Sequence, residues 1–135
     1  MKASSKFTIA KWDENPYQII SDNKKLTKAA VNFKIQGDIE GLAAAEWLMF
    51  YKNFDAKNPM IGAAIYVGLI RIEAKLIGKS GSFVLEDKGF FEAGVAKSTL
   101  EICPDSGTGE LAGISGRGHL IATHNDCTLE LEYLI

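Results

Sequence analysis

The sequence predicts an all-β protein, a closed antiparallel barrel of about eight strands, lipocalin-like in architecture. Three observations carry this. Short runs alternate apolar and polar residues with a period of two, the periodicity of a half-buried strand. From Gly62 to Gly118 glycines punctuate these runs, and no proline falls between Met60 and Cys103. Glycines also recur inside the runs, as the strongly coiled strands of a barrel require. A two-sheet sandwich would serve nearly as well on these observations.

The first strand is expected from about Lys2 to Trp12, with Phe7 and Ile9 on one face, and Asp13-Glu14-Asn15-Pro16 breaks it. A polar connection, Asp22-Asn23-Lys24-Lys25, leads to a second strand in which Ala29, Val31, Phe33 and Ile35 alternate with Lys28, Ala30, Asn32 and Lys34. After a turn at Gly37-Asp38, Leu42 to Tyr51 reads as helix on propensity, being rich in alanine, leucine, glutamate and methionine. A strand is the alternative there, placing Glu40, Leu42, Ala44, Glu46, Leu48 and Phe50 on one face, because sheet context overrides propensity.

Lys52 to Met60, with Asn58-Pro59, reads as a polar loop, followed by a long strand from about Ala63 to Ile77. Gly78-Lys79-Ser80-Gly81 reads as a hairpin turn, since glycine supplies the positive φ of tight connections. A strand from Ser82 to Lys88 pairs back, and Gly89 and Gly94 bracket a bend. Strands from Val95 to Cys103 and around Glu110 to Arg117 follow, separated by Pro104-Asp105-Ser106-Gly107. The last strand sets Cys127, Leu129, Leu131 and Tyr133 against Thr128, Glu130 and Glu132.

At 135 residues the chain reads as a single domain that needs no disulfide or metal to hold it. Its net charge of −2 argues against a nucleic-acid partner, and the cluster Lys24, Lys25 and Lys28 reads as a solvated loop. The charge-free stretch from Pro59 to Ile70 is too short to cross a bilayer, and the start lacks the apolar core of a secretory signal. These features predict a cytoplasmic protein without a membrane role, in which Cys103 and Cys127 stay reduced and serve packing.

Motifs that carry chemistry are weak. Gly107-Thr108-Gly109-Glu110-Leu111-Ala112 has the spacing of a dinucleotide fingerprint, but Gly113, Gly116 and Gly118 exclude the helix that must follow. His119 and His124 lack a second ligand cluster for a metal, and Ser80-Gly81-Ser82 lacks a nucleophile elbow. No metal or organic cofactor is implied. Glu40, Glu46, Tyr66, Arg71 and Glu110 are polar residues set in apolar or glycine-rich strands. A Glu46 pointing into the barrel would have its pKa raised by burial unless a cation such as Arg71 compensates. Otherwise these residues face water.

Tyr66-Val67-Gly68-Leu69, Gly78-Lys79-Ser80-Gly81-Ser82-Phe83 and Gly107-Thr108-Gly109-Glu110-Leu111 resemble an uncharacterised family of short, mainly bacterial proteins. Trp12-Asp13-Glu14 and the Gly37 to Gly41 turn extend the resemblance over nearly the whole chain. It implies a barrel like that of plant allene oxide cyclase, favours strand for Leu42 to Tyr51, and implies no established activity. The family pattern often has an acidic residue in place of Ile70 and histidine in place of Asp87. This chain departs at both positions, which weakens an enzyme reading.

The expected function is binding of an apolar or amphipathic small molecule inside the barrel, with Phe33, Trp47, Tyr66 and Phe83 as lining and Glu46, Arg71 and Glu110 as polar anchors. An isomerase or cyclase using the same cavity, and a structural homo-oligomer with a filled barrel, are the alternatives. An enzyme would require a titratable group with a shifted pKa inside the cavity.

Overall fold

The computed structural model describes residues 1–55, 57–58 and 62–135. Among them eight strands run in sequence order around one antiparallel sheet: β1 (Lys2–Ser21), β2 (Lys24–Gly37), β3 (Ile39–Phe54), β4 (Gly62–Leu76), β5 (Lys79–Glu92), β6 (Val95–Ile102), β7 (Ser115–Ala122) and β8 (Cys127–Leu134). The ring closes where Lys2 to Lys6 of β1 pair with Glu132 to Thr128 of β8. Closure removes the open sheet edges along this stretch.

One end of the barrel is filled. Val31, Ile35, Ile39, Ile70, Ile72, Leu76, Phe83, Leu85 and Leu131 are fully buried or nearly so. Each contributes about 1.5–3 kcal/mol by leaving water. The connection from β6 to β7 crosses this end, where a 3-10 turn (Gly109–Leu111) inserts Leu111 and Ile114 into the core. It is held by Thr108 N–H donating to the Ser82 carbonyl at 2.9 Å and by the Ser82 and Thr108 hydroxyls at 2.7 Å. Gly81 permits the approach, since a Cβ there would lie 2.1 Å from the Thr108 carbonyl oxygen.

The other end is open, because β1 to β5 are nearly twice as long as β6 to β8 and extend beyond them. Beyond Lys6, β1 pairs with β2 alone and leaves β8. A bulge between Ile9 and Lys11 exchanges the faces of β1: Ala3, Ser5 and Phe7 point inward before it, whereas Trp12, Glu14 and Pro16 pair with the inward positions Val31, Ala29 and Thr27 after it. Pro16 falls at a register shift on a stretch of β1 that borders β2 alone, the edge setting in which a strand tolerates proline.

Several boundaries differ from expectation. β1 continues through Asp13 to Pro16, because its bulges absorb the irregularity that ends the period-two pattern. Leu42 to Tyr51 is strand, and its inward face is Ala43, Ala45, Trp47 and Met49, so the face bearing Glu40 and Glu46 points outward. β3 extends to Phe54, while Ala56, Pro59 and Met60 of the expected loop lie outside the described residues. The β4–β5 turn is Ile77-Gly78, with φ of 47° and 83°, rather than Gly78 to Gly81. β5 passes through Gly89 to a second tight turn at Ala93-Gly94. The strand expected around Glu110 to Arg117 is the 3-10 turn followed by β7.

Candidate functional site

The open end encloses a cavity of about 880 Å³, within the size range of small-molecule sites. Its walls come from β1 to β8 and from the β7–β8 loop, Thr123 to Asp126, which lies in the gap left by β1. Lys6 marks the point where β1 and β8 part, donating 2.7 Å hydrogen bonds to Asp126 Oδ1 and Thr128 Oγ1.

An aromatic chain forms one side of the cavity. Trp47 is its centre, with ring centroids 6.0 Å from Trp12, 6.1 Å from Phe33 and 5.8 Å from Tyr66. Phe7 extends it at 5.2 Å from Phe33. Nearer the mouth Tyr51 and Phe54 are edge-on at 6.3 Å, and the Lys25 ammonium sits 4.9 Å and 4.3 Å from their respective centroids. Such tilted and edge-to-face pairs add to the apolar contribution of the rings.

Glycines inside the strands make this arrangement possible. In register, Trp47 faces Gly68, which faces Asp87 on the next strand. With no side chain between them, the indole reaches across a whole strand, and Nε1 donates to Asp87 Oδ2 at 2.9 Å. A Cβ on Gly68 would lie 2.6 Å from Trp47 Cδ1 and 2.0 Å from the Glu46 carbonyl oxygen. The device repeats two residues along: Tyr66 faces Gly89, which faces Ser98, and the phenol lies over the glycine to share a 2.7 Å hydrogen bond with the Ser98 hydroxyl. A Cβ on Gly89 would lie 2.6 Å from the Tyr66 oxygen. Read from sequence as signs of bending, these glycines are the clearances over which two polar aromatics cross the barrel.

Titratable groups gather at the same depth. Asp87 is 1% exposed, and burial pushes its carboxyl up to about 6, partly offset by the Trp47 hydrogen bond and the nearby Ser98 hydroxyl. Its Oδ1 has no hydrogen-bond partner among the described residues. Burial likewise pushes the Tyr66 phenol up to about 12 and the Cys127 thiol up to about 11, so both are neutral at physiological pH. Toward the mouth Glu14 ties three strands together, accepting hydrogen bonds from Trp12 Nε1 at 3.1 Å, Thr27 Oγ1 at 2.7 Å and Tyr51 OH at 2.5 Å. Burial and the nearby Glu14 raise the Tyr51 phenol well above the ordinary range.

Of the residues singled out in the sequence, the structure brings Phe33, Trp47 and Tyr66 together in the cavity wall. Phe83 is fully buried in the filled end. Glu46 and Arg71 are exposed on the outer surface, where Arg71 pairs with Glu73 at 3.2 Å. Glu110 is exposed beside the 3-10 turn and accepts a hydrogen bond from Ser80 N–H at 3.1 Å. Glu40 and Arg71 line a shallow, charged depression on the outside of the filled end, well apart from the aromatic cavity. His119 is exposed beside Glu130, and His124 lies in the loop at the mouth. No group of three or more metal-ligating side chains occurs among the described residues. Both cysteines are free.

Asp87, Ser98 and Glu14 were not recognised as site residues from sequence. Asp87 had a legible signal, since Phe83, Leu85, Asp87 and Gly89 share one face of a strand and the acid interrupts an otherwise apolar row. Glu14 had none, because only the bulge turns it inward.

The fold and site define a closed, eight-stranded antiparallel barrel with an aromatic cavity at its open end and a carboxylate buried beneath it. The chain belongs to DUF3224, described as a protein family of unknown function, whose pattern matches residues 3–133. A solved structure from this family, a protein of unknown function from Shewanella oneidensis MR-1, is similar over all of this chain and 97% of its own, with 26% identity and a TM-score of 0.80. A pyocyanin demethylase is similar in fold, with 14% identity and a TM-score of 0.62 over 99% of this chain and 100% of its own. No curated protein matches the sequence.

Proposed function

We propose that the protein binds an apolar or amphipathic small molecule in the cavity at the open end of the barrel. The observation that carries this is the contrast between the two ends. The filled end packs aliphatic side chains to exclusion of water, whereas the open end encloses about 880 Å³ among aromatic rings. Trp47 and Tyr66 tie their polar atoms to Asp87 and Ser98, so the cavity wall they line is built of aromatic rings whose polar atoms already have partners. The pyocyanin demethylase, whose name states an action on a small molecule, supports the general capacity of the fold and nothing about the ligand here.

Native mass spectrometry of protein purified from its own host, followed by denaturing extraction, tests the reading. A stoichiometric aromatic or lipid-like compound is the expected result. Empty protein, together with no quenching of tryptophan fluorescence by a panel of aromatic probes, would overturn it. The same spectrum reports assembly. Leu48, Ile65, Val67, Leu69 and Phe90 are 45–53% exposed on the outer face of β3 to β5, an apolar area that supports a homo-oligomer.

A second reading, acid/base catalysis in the same cavity, has one specific observation in its favour. Asp87 supplies the buried titratable group that an enzyme would require. It reaches the cavity through Ser98 and Tyr66, whose hydroxyls share a hydrogen bond.

A further inference from the structure

The binding reading leaves a buried charge to explain. A carboxylate removed from water needs hydrogen bonds or an opposite charge. Asp87 receives one strong hydrogen bond, from Trp47 to Oδ2, while Oδ1 is buried and unpaired among the described residues. Inside the barrel no cationic side chain approaches it among the described residues, and the titratable groups that face it are the neutral Tyr66 and Cys127. Asp87 is therefore a negative charge without a counter-ion, placed directly behind Trp47 and Ser98 in the cavity wall.

We propose that Asp87 is the counter-charge of the cavity and that the ligand is an organic cation with an aromatic or otherwise apolar body. The proposal rests on the binding reading above and adds the chemical class of the ligand. Three further features agree with it. The rings of Trp12, Phe33, Trp47 and Tyr66 present π-faces and edges around one space, and aromatic faces attract cations. The protein already uses its rings this way, with Lys25 seated over Tyr51 and Phe54. Lining carboxylates outnumber cations even after Asp126 is set against Lys6, since Glu14 and Asp55 stand against Lys25, with His124 beside them.

The test compares two planar probes of similar size, 9-aminoacridine, which is cationic across the relevant pH range, and the uncharged 9-aminoanthracene. Each is titrated by calorimetry and by quenching of tryptophan fluorescence, at about pH 8 and about pH 5, on either side of the Asp87 titration. The cation is expected to bind about tenfold more tightly than its neutral counterpart at the higher pH, and to lose most of this preference at the lower. Asp87→Asn should lose the preference at both pH values, read as the ratio of the two probes' affinities. The pH comparison in unsubstituted protein provides the same contrast should the variant not fold. A neutral probe that binds equally well or better at the higher pH, or a cation preference unchanged in Asp87→Asn and at the lower pH, would overturn the cation assignment while leaving the cavity reading standing. Failure of both probes to bind would overturn both.

Discussion

Asp87 destabilises the folded protein at neutral pH, and the sign follows from where its proton is held. Its carboxyl titrates at about 6 in the fold, against 3.8 ordinarily. Between those values the folded state binds more protons than the unfolded state, so stability falls as pH rises. The penalty is absent in acid below the unfolded value and complete above the folded one, where it is about 3 kcal/mol at most. Asparagine keeps an oxygen for Trp47 and removes the charge. Asp87→Asn should therefore raise unfolding free energy by about 1–3 kcal/mol at about pH 8 and leave it nearly unchanged at about pH 3, as measured by urea denaturation. Equal destabilisation at both pH values would show that the residue serves packing alone. The sequence placed this acid on an apolar face, whereas for Glu46 it could not decide. Ala43, Ala45, Trp47 and Met49 alternate with Leu42, Ala44, Glu46 and Leu48, so both faces of β3 are nearly as apolar and the choice of inward face depends on register across the sheet.

Elements were legible wherever one face of a strand was clearly polar. β2 and β8 follow their alternation closely, and β8 begins and ends near its predicted limits. β1 was shortened because its bulge changes the inward face, so a period-two pattern read along the sequence loses phase where the structure continues. The β4–β5 turn was displaced for a different reason. Ile77 occupies a left-handed conformation, φ 47°, that a β-branched side chain rarely adopts, and the sequence signal pointed to the neighbouring glycines instead. Pairing of Leu76 with Lys79 fixes the two-residue loop, and the Ile77 side chain is 61% exposed, so little packing opposes a change there. Ile77→Asn creates an Asn-Gly pair suited to positive φ at both positions. It retains the Ile77 N–H donation to the Asp38 carbonyl at 2.9 Å. The variant is expected to gain about 0.5–1.5 kcal/mol, read as a rise in thermal midpoint, and a lower midpoint would mean that the isoleucine side chain contributes more than its exposure indicates.

At the scale of the whole molecule, closure joins the two ends of the chain: Lys2 to Lys6 pair with Thr128 to Glu132 across a separation of six intervening strands. The adjacent hairpins are local, while this seam brings the largest loss of chain entropy. The barrel should therefore refold over milliseconds to seconds, with the seam forming late. Leu131 tests this, being 1% exposed on β8 directly opposite Ala3. Leu131→Ala should cost about 2–4 kcal/mol of stability. A seam that closes after the transition state places nearly all of that loss in faster unfolding and slows refolding by less than about threefold. Refolding slowed in proportion to the full loss would place β1–β8 pairing in the folding nucleus instead. This seam is also the side on which β1 leaves β8 at the mouth of the cavity, so its order of closure decides when that mouth takes shape.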